Sequence, residues 1–318
     1  MHFDEDPSVI SYLSEFCETS YGIVGEVTTI VNGINWTLSF SDRDGVKYYG
    51  RVYRVKGRSG ADVAAEHSVL NATVETPSFH AVRPLQSRDG RSVLEVDLHG
   101  VKRLFSLYPC APGKPMEYTV HDFRVAGRAL AELHRQDHLT ALSPHRLLYD
   151  PGTLAAAMGR IAEHSAETQE VSAELSACLD ELRGVGADAV PLKRGFCHGD
   201  FRVSNVHIEG DCAHIFDWDD CGVGPYWGDL AKMAAWLDLL DLPDAADIWN
   251  ALASSYGLSS DDRRARLAIR WLVATGSVIN AASVLESGFD TPAESLQVLF
   301  ARAIEAAKRA RDDALRIG

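Results

Sequence analysis

The sequence is short of positive charge. Its 31 Lys and Arg stand against 45 Asp and Glu, a net charge of −14 with His neutral. That balance argues against nucleic acid or anionic membrane as the main partner, because phosphate surfaces select for Lys and Arg. No apolar run approaches the ~18 residues of a membrane span. The acidic opening MHFDEDPSVISYL lacks the basic region that begins a signal peptide. The cysteines, Cys17, Cys110, Cys178, Cys197, Cys212 and Cys221, form no CxxC pair. In a chain this long their scatter predicts reduced thiols in a cytoplasmic protein, with neither a disulfide frame nor a zinc site. There is no internal repeat, no low-complexity linker and no GxGxxG loop.

What is present is enough apolar material, 46% of 318 residues, for a sizeable core in two domains or one large one. The character of the chain changes along its length. From Tyr21 to Tyr53 it is rich in Val, Ile, Thr, Tyr and Trp, broken at Asn32-Gly33 and at Arg43-Asp44-Gly45. This pattern predicts three antiparallel strands with tight turns. Ser59–Val74 has helical spacing, with Ser59 or Asp62 as cap. Strand character returns from Ser92 to Leu107, and APGKP after it reads as a break. Beyond Pro115 helical patterns dominate. In Val120–Leu139, Phe123, Ala126, Leu130 and Leu133 share one face, and two further helices are expected between Pro151 and Arg183. The expected fold class is α+β: a small antiparallel-sheet lobe over residues 1–110 and a larger, mainly helical lobe over residues 111–318.

One stretch interrupts the helical half: GFCHGDFRVSNVHIEGDCAHIFDWDDCGVG, Gly195 to Gly224. His198, Asp200 and Asn205 give H-x-D-x-x-x-x-N. Asn205 opens a short strand, a turn at Glu209–Asp211 follows, and a second strand runs up to Asp217. Two strand ends and one loop therefore deliver Asp200, Asn205 and Asp217 to one edge of a hairpin. Phosphoryl transfer from ATP uses that set: an Asp that accepts the proton of a hydroxyl, and an Asn and a second Asp that hold Mg2+. An acidic loop with capping Asp residues would not explain why Asp217 ends an apolar strand, where an unpaired carboxylate is costly.

The motif resembles that of the aminoglycoside phosphotransferase and choline kinase-like family, small-molecule relatives of protein kinases. CHGDFRVSNV is similar to its catalytic loop, and HIFDWDDCGVGPYWGDLA to its metal-binding segment and the helix after it. The resemblance implies a two-lobed protein-kinase-like fold, with Asp200 as catalytic base, His198 as the residue that orients the loop, and Asn205 and Asp217 as Mg2+ ligands. It makes Asp229 a buried support that fixes the loop through backbone N–H groups. In the N-terminal part, VNGINWTLSF stands at the strand turn that covers ATP phosphates, which points to Asn32 and Gly33. GRVYRVKGRSGADVAAEH is similar to the strand and helix that carry the phosphate-binding cation and its Glu partner. Glu66 fits the Glu. Arg51 stands where many relatives have Lys, and it can hold phosphate bidentately. Alternation along the strand leaves open which of Arg51, Arg54 and Lys56 faces the nucleotide, and the resemblance favours Arg51. FSLYPCAPGKPM corresponds to the hinge, with backbone from Leu107 to Cys110 expected to pair with adenine, although Pro109 offers no N–H.

The acceptor is less defined. Asp219 and Asp220 extend the metal-binding segment: Asp219 could reach metal or substrate, Asp220 could cap the following turn, and either could act directly on the substrate. Asp211 to Asn250 holds nine Asp and one Lys, Lys232. An acidic pocket there suits an amine-bearing alcohol or sugar, with Trp227 as a stacking surface. The expectation is an ATP- and Mg2+-dependent kinase of a small hydroxylated molecule: an antibiotic, amino alcohol or sugar. Parts of the chain also resemble bacterial stress-response kinases and homoserine kinases of type II. This leaves a protein Ser/Thr kinase as the alternative, with a non-catalytic nucleotide-binding regulator behind it.

Overall fold

A computed structural model describes residues 6–32, 35–53, 59–143, 149–259, 262–286 and 293–317. The chain divides into two compact units, Met1–Ala72 with Ala81–Pro112, and Thr73–His80 with Gly113–Gly318. A single cut after Cys110 would leave Thr73–His80 in the first unit. Its backbone instead joins the second, where Ala213 N donates to Ser78 O at 3.0 Å.

The first unit begins with a helix that the sequence reading did not anticipate, α1 (Pro7–Tyr21). Asp6 caps it by accepting from Ser8 N at 2.9 Å. Val9, Leu13 and Cys17 are spaced by four and buried on one face. Five antiparallel strands follow: β1 (Gly25–Asn32), β2 (Trp36–Asp42), β3 (Lys47–Val52), β5 (Leu94–Leu98) and β6 (Val101–Pro109), in the order β1-β2-β3-β6-β5. The stretch expected as one strand from Ser92 to Leu107 is a hairpin. His99 and Gly100 have φ of +55° and +82°, the two-residue turn that matches strand twist, with His99 in the position usually given to Asn or Asp. Helix α2 (Gly60–Ala72) is capped reciprocally: Ser59 Oγ accepts from Asp62 N at 3.2 Å, and Asp62 Oδ2 accepts from Ser59 N at 2.8 Å. The core joins α1 to the sheet through Leu13, Leu38, Phe40, Val96 and Phe105.

The second unit holds helices α3 (Val120–Leu133), α4 (Pro151–His164), α5 (Ala166–Gly184), α6 (Trp227–Leu240), α7 (Ala245–Tyr256), α8 (Arg263–Glu286) and α9 (Ala293–Ile317). Phe123, Ala126, Leu130 and Leu133 are all buried, as the α3 pattern requires. By length and composition α8 could cross a membrane, contrary to the reading that no such run exists. However, 56% of that apolar window is buried inside the fold, where Leu272, Val273 and Val278 pack with α4, α5 and α9. Strands among these helices extend beyond the hairpin expected around Asn205–Phe216. Besides β9 (Val206–Glu209) and β10 (Cys212–Ile215), β8 (Arg194–Cys197) pairs antiparallel with β11 (Gly222–Pro225). β4 (Phe79–Ala81) and β7 (Lys114–Pro115) flank the hairpin in the order β4-β10-β9-β7.

Candidate active site

The loop that carries His198, Asp200 and Asn205 leaves β8 and ends at the hairpin, so two ladders fix its ends. Phe216 N donates to Asn205 O at 3.1 Å, one step beyond the Ile215–Val206 pair. That bond closes the hairpin mouth and puts Asn205 beside the turn into Asp217. Asp217 is half-buried, with φ at +63°. A non-glycine residue in this region is strained and persists only where its surroundings hold it, commonly at functional sites.

Asp200 carries the densest set of contacts. Asn205 Nδ2 donates to its carbonyl at 2.9 Å and to its Oδ2 at 3.1 Å. Arg202 Nε lies 2.8 Å from Oδ2 and Lys232 Nζ 3.6 Å from Oδ1. Burial pushes the Asp200 carboxyl up, but Lys232, Arg202, His198 and the Asn205 amide together hold it below the usual carboxylate value. The group is therefore ionised, and 18% of its side chain remains exposed. Because Asn205 spends its NH2 on Asp200, its carbonyl oxygen is directed elsewhere, where it accepts from Ser204 Oγ at 3.3 Å. An amide oxygen and an adjacent carboxylate are hard donors that suit Mg2+, which keeps most of its waters.

His198 is fully buried. Its Nε2 lies 3.1 Å from Phe216 O, and its Nδ1 accepts from Asp200 N at 3.3 Å. One ring thus ties the loop to the strand that leads into Asp217. Asp229, on α6, accepts from His198 N and Gly199 N, both at 2.8 Å, and from His134 Nε2 at 3.1 Å. Burial raises its carboxyl, while those donors outweigh burial and leave it below the ordinary value. Cys197 joins His134 and Asp229 in a buried trio. The Asp229 oxygens and both His134 nitrogens are already hydrogen-bonded, the last to Tyr256 at 2.9 Å.

In the first unit Arg51 lies half-buried on β3 with its guanidinium 5.9 Å from the centre of the Tyr53 ring. Val52, on the opposite face, is buried. Glu66 is 1% exposed on α2. Its Oε1 accepts from the Tyr108 hydroxyl at 3.5 Å, and that hydroxyl also meets Tyr53 at 3.0 Å and His67 at 3.1 Å. Burial, Tyr53 and Glu66 push the Tyr108 hydroxyl well up, while Arg51 pulls it down. Arg51 and Glu66 therefore act on one buried group, and Tyr108, Tyr53 and His67 are members of the cluster that the sequence reading missed. Only Tyr108's place in the hinge segment pointed to it.

Other assignments fare differently. Gly33, Arg54 and Lys56 lie outside the described residues, and of Asn32 only its place at the end of β1 is described. In the segment read as the hinge, one backbone group of each named residue has a protein partner. Leu107 O accepts from Leu85 N at 2.7 Å, and Cys110 N donates to Lys47 O at 3.1 Å. Asp219 is half-buried and Asp220 exposed beside the loop. Trp227 packs against the helical core. The acidic segment does not converge on one pocket: Asp211 pairs with Arg128 at 2.7 Å, and Asp238 with Arg270 at 2.5 Å. Lys232, the one Lys of that segment, stands 3.6 Å from Asp200 Oδ1, a contact the sequence reading did not anticipate.

The chain belongs to the phosphotransferase enzyme family, whose model matches residues 34–272. Among solved structures it is similar to a microcompartment-associated aminopropanol kinase, with 18% identity, 97% of this chain and 100% of that one covered, and a TM-score of 0.74. It is also similar to an amicoumacin kinase in complex with AMP-PNP, Ca2+ and Ami, with 15% identity, 94% and 93% covered, and a TM-score of 0.69. An uncharacterised protein of Synechocystis sp. is 27% identical over 194 residues, 58% of this chain and 53% of that protein. The chain thus spans about half the length of this curated relative.

Proposed function

We propose that the protein is an ATP-dependent phosphotransferase that moves the γ-phosphoryl group to a hydroxyl of a small molecule. The observation that carries this reading is the ionised, half-enclosed Asp200, clamped by Asn205, Arg202 and Lys232 one hairpin mouth away from the strained Asp217. Asp200 orients the acceptor hydroxyl and takes its proton as the oxygen bonds phosphorus, and ADP leaves with the electrons of the broken bond. Arg202 and Lys232 keep the carboxylate aimed and prevent its protonation in advance. Asn205 and Asp217 would hold Mg2+, which supplies charge neutralisation at the phosphate oxygens when bound. Arg51, braced by Glu66, holds the phosphates in place. The neighbours named for aminopropanol and amicoumacin support a small hydroxylated acceptor. Asp219 and Asp220 beside the loop favour one that bears an amine.

The test is ATP turnover across a panel of amino alcohols, aminated sugars and hydroxylated antibiotics, with a Ser/Thr peptide library as a second arm. Small-molecule turnover that needs a divalent metal and falls by about 10²–10⁴ in Asp200→Asn is expected. Transfer to peptides alone would replace this reading with a protein kinase, and wild-type turnover by Asp200→Asn would remove Asp200 as base.

A further inference from the structure

One face of the β9–β10 hairpin gathers groups that phosphoryl transfer does not use. Cys212 and His214 are two residues apart on β10 and share a face. The register sets Glu209 opposite Cys212, on that same face. β4 runs along the other edge of β10 and brings His80. The His80 and His214 rings are 5.1 Å apart between centres and nearly perpendicular, at 82°. One ligand atom each from His80, Cys212 and His214 all lie within 4.8 Å of one another.

A second observation points into the cluster. His214 is 4% exposed, and among the described residues its buried Nε2 has no hydrogen-bond partner. The Glu209 carboxylate stands 3.4 Å from that nitrogen without hydrogen-bond geometry. A buried polar atom left unsatisfied is uncommon and calls for a missing partner. Burial, His80 and His207 hold the His214 imidazole below its ordinary value despite Glu209.

We propose that His80, Cys212 and His214 form a site for zinc or a similar thiophilic divalent ion, with Glu209 as fourth ligand. Two imidazoles, a thiolate and a carboxylate are a donor set that four-coordinate zinc accepts, whereas Mg2+ and Ca2+ take oxygen only. Burial and the carboxylates of Glu209, Glu75 and Glu132 raise the Cys212 thiol. The same negative field attracts a dication, which takes the place of the thiol proton as that proton leaves to solvent. Entry is open, since His80 and Cys212 are half-buried and the Glu209 side chain is 63% exposed. Cysteine spacing gave no sign of the site, because His80 is far from Cys212 in the chain and only the β4–β10 pairing unites them. The ion would pin Thr73–His80 to the hairpin whose ends carry Asn205 and Asp217.

Tag-free protein, stripped with chelator and kept in excess Mg2+, is titrated with Zn2+ against a chromophoric chelator and separately with Co2+. The expected results are one zinc per chain and, with cobalt, a thiolate-to-metal charge-transfer band with the strong d–d bands of a four-coordinate ion. Cys212→Ser should remove the charge-transfer band. His80→Ala should weaken zinc by more than about tenfold, since even outer-shell partners are worth about 10- to 100-fold. Far-UV circular dichroism in Mg2+ alone checks that both variants are folded. If either is not, the wild-type stoichiometry and cobalt spectrum decide. Substoichiometric zinc, a cobalt spectrum without charge transfer, or unchanged zinc affinity in both folded variants would overturn the site.

Discussion

At position 199 a side chain would be misplaced twice over. Gly199 has φ at +84°, and a Cβ there would collide with the Asp220 carbonyl oxygen. Its N–H is one of the two that Asp229 holds. Gly199→Ala should cost about 1–3 kcal/mol from backbone strain and move Asp200 off line. The expected result is a lower thermal midpoint and a loss in kcat greater than the loss in nucleotide affinity. Lys232→Met keeps the stem but removes a charge from beside Asp200. It should leave nucleotide binding near wild type and lower kcat, as steady-state kinetics would show. Arg51→Ala, by contrast, should raise the KM for ATP and lower kcat together, with Arg51→Lys restoring part of both. A guanidinium can bridge Glu66 and phosphate at once, whereas an ammonium presents a single point charge. A mild Arg51→Ala would return the phosphate anchor to another cation left open on that segment, Arg54.

At the scale of elements, β6 and α2 are joined through the Tyr108 hydroxyl, which meets Glu66, His67 and Tyr53. Tyr108→Phe leaves those buried groups one partner short and should cost about 1–3 kcal/mol, measured as a shift in urea midpoint. The elements legible in the sequence were those whose burial follows one period: α3, with Phe123, Ala126, Leu130 and Leu133 inside, and β1 to β3 with the turn between β2 and β3. Those that were missed owe their form to something else. α1 has an apolar stripe of only three buried residues, among Ser, Glu and aromatics. The β5–β6 turn uses His99 where Asn would have signalled it, and β8 and β11 are four residues each and are defined by each other. The site divides the same way. Asp200, Asn205 and Asp217 could be read because one loop and one hairpin place them. Lys232, Tyr108 and His67 could not, because their partners arrive from other elements.

At the scale of the whole chain, the buried Asp229 links acid stability to the site. Its folded carboxyl titrates below its unfolded value, so the stability it contributes is fully present above the ordinary carboxylate range. That stability is lost as pH falls through the lower, folded value. Urea midpoints of wild type and Asp229→Asn should differ by about 1–3 kcal/mol at neutral pH and converge in acid. A gap that does not close on acidification would show that Asp229 acts through shape alone. The same carboxylate also bears on the order of events during folding. It reaches 30 and 31 residues back to the catalytic loop and 95 residues back to His134, which in turn reaches 122 residues forward to Tyr256. Contacts so distant along the chain carry the largest loop-closure cost and form late. No fragment that ends before Tyr256 can complete this network. Refolding protein should therefore recover its helix signal first and its turnover last, when the far end of the chain has docked onto α3.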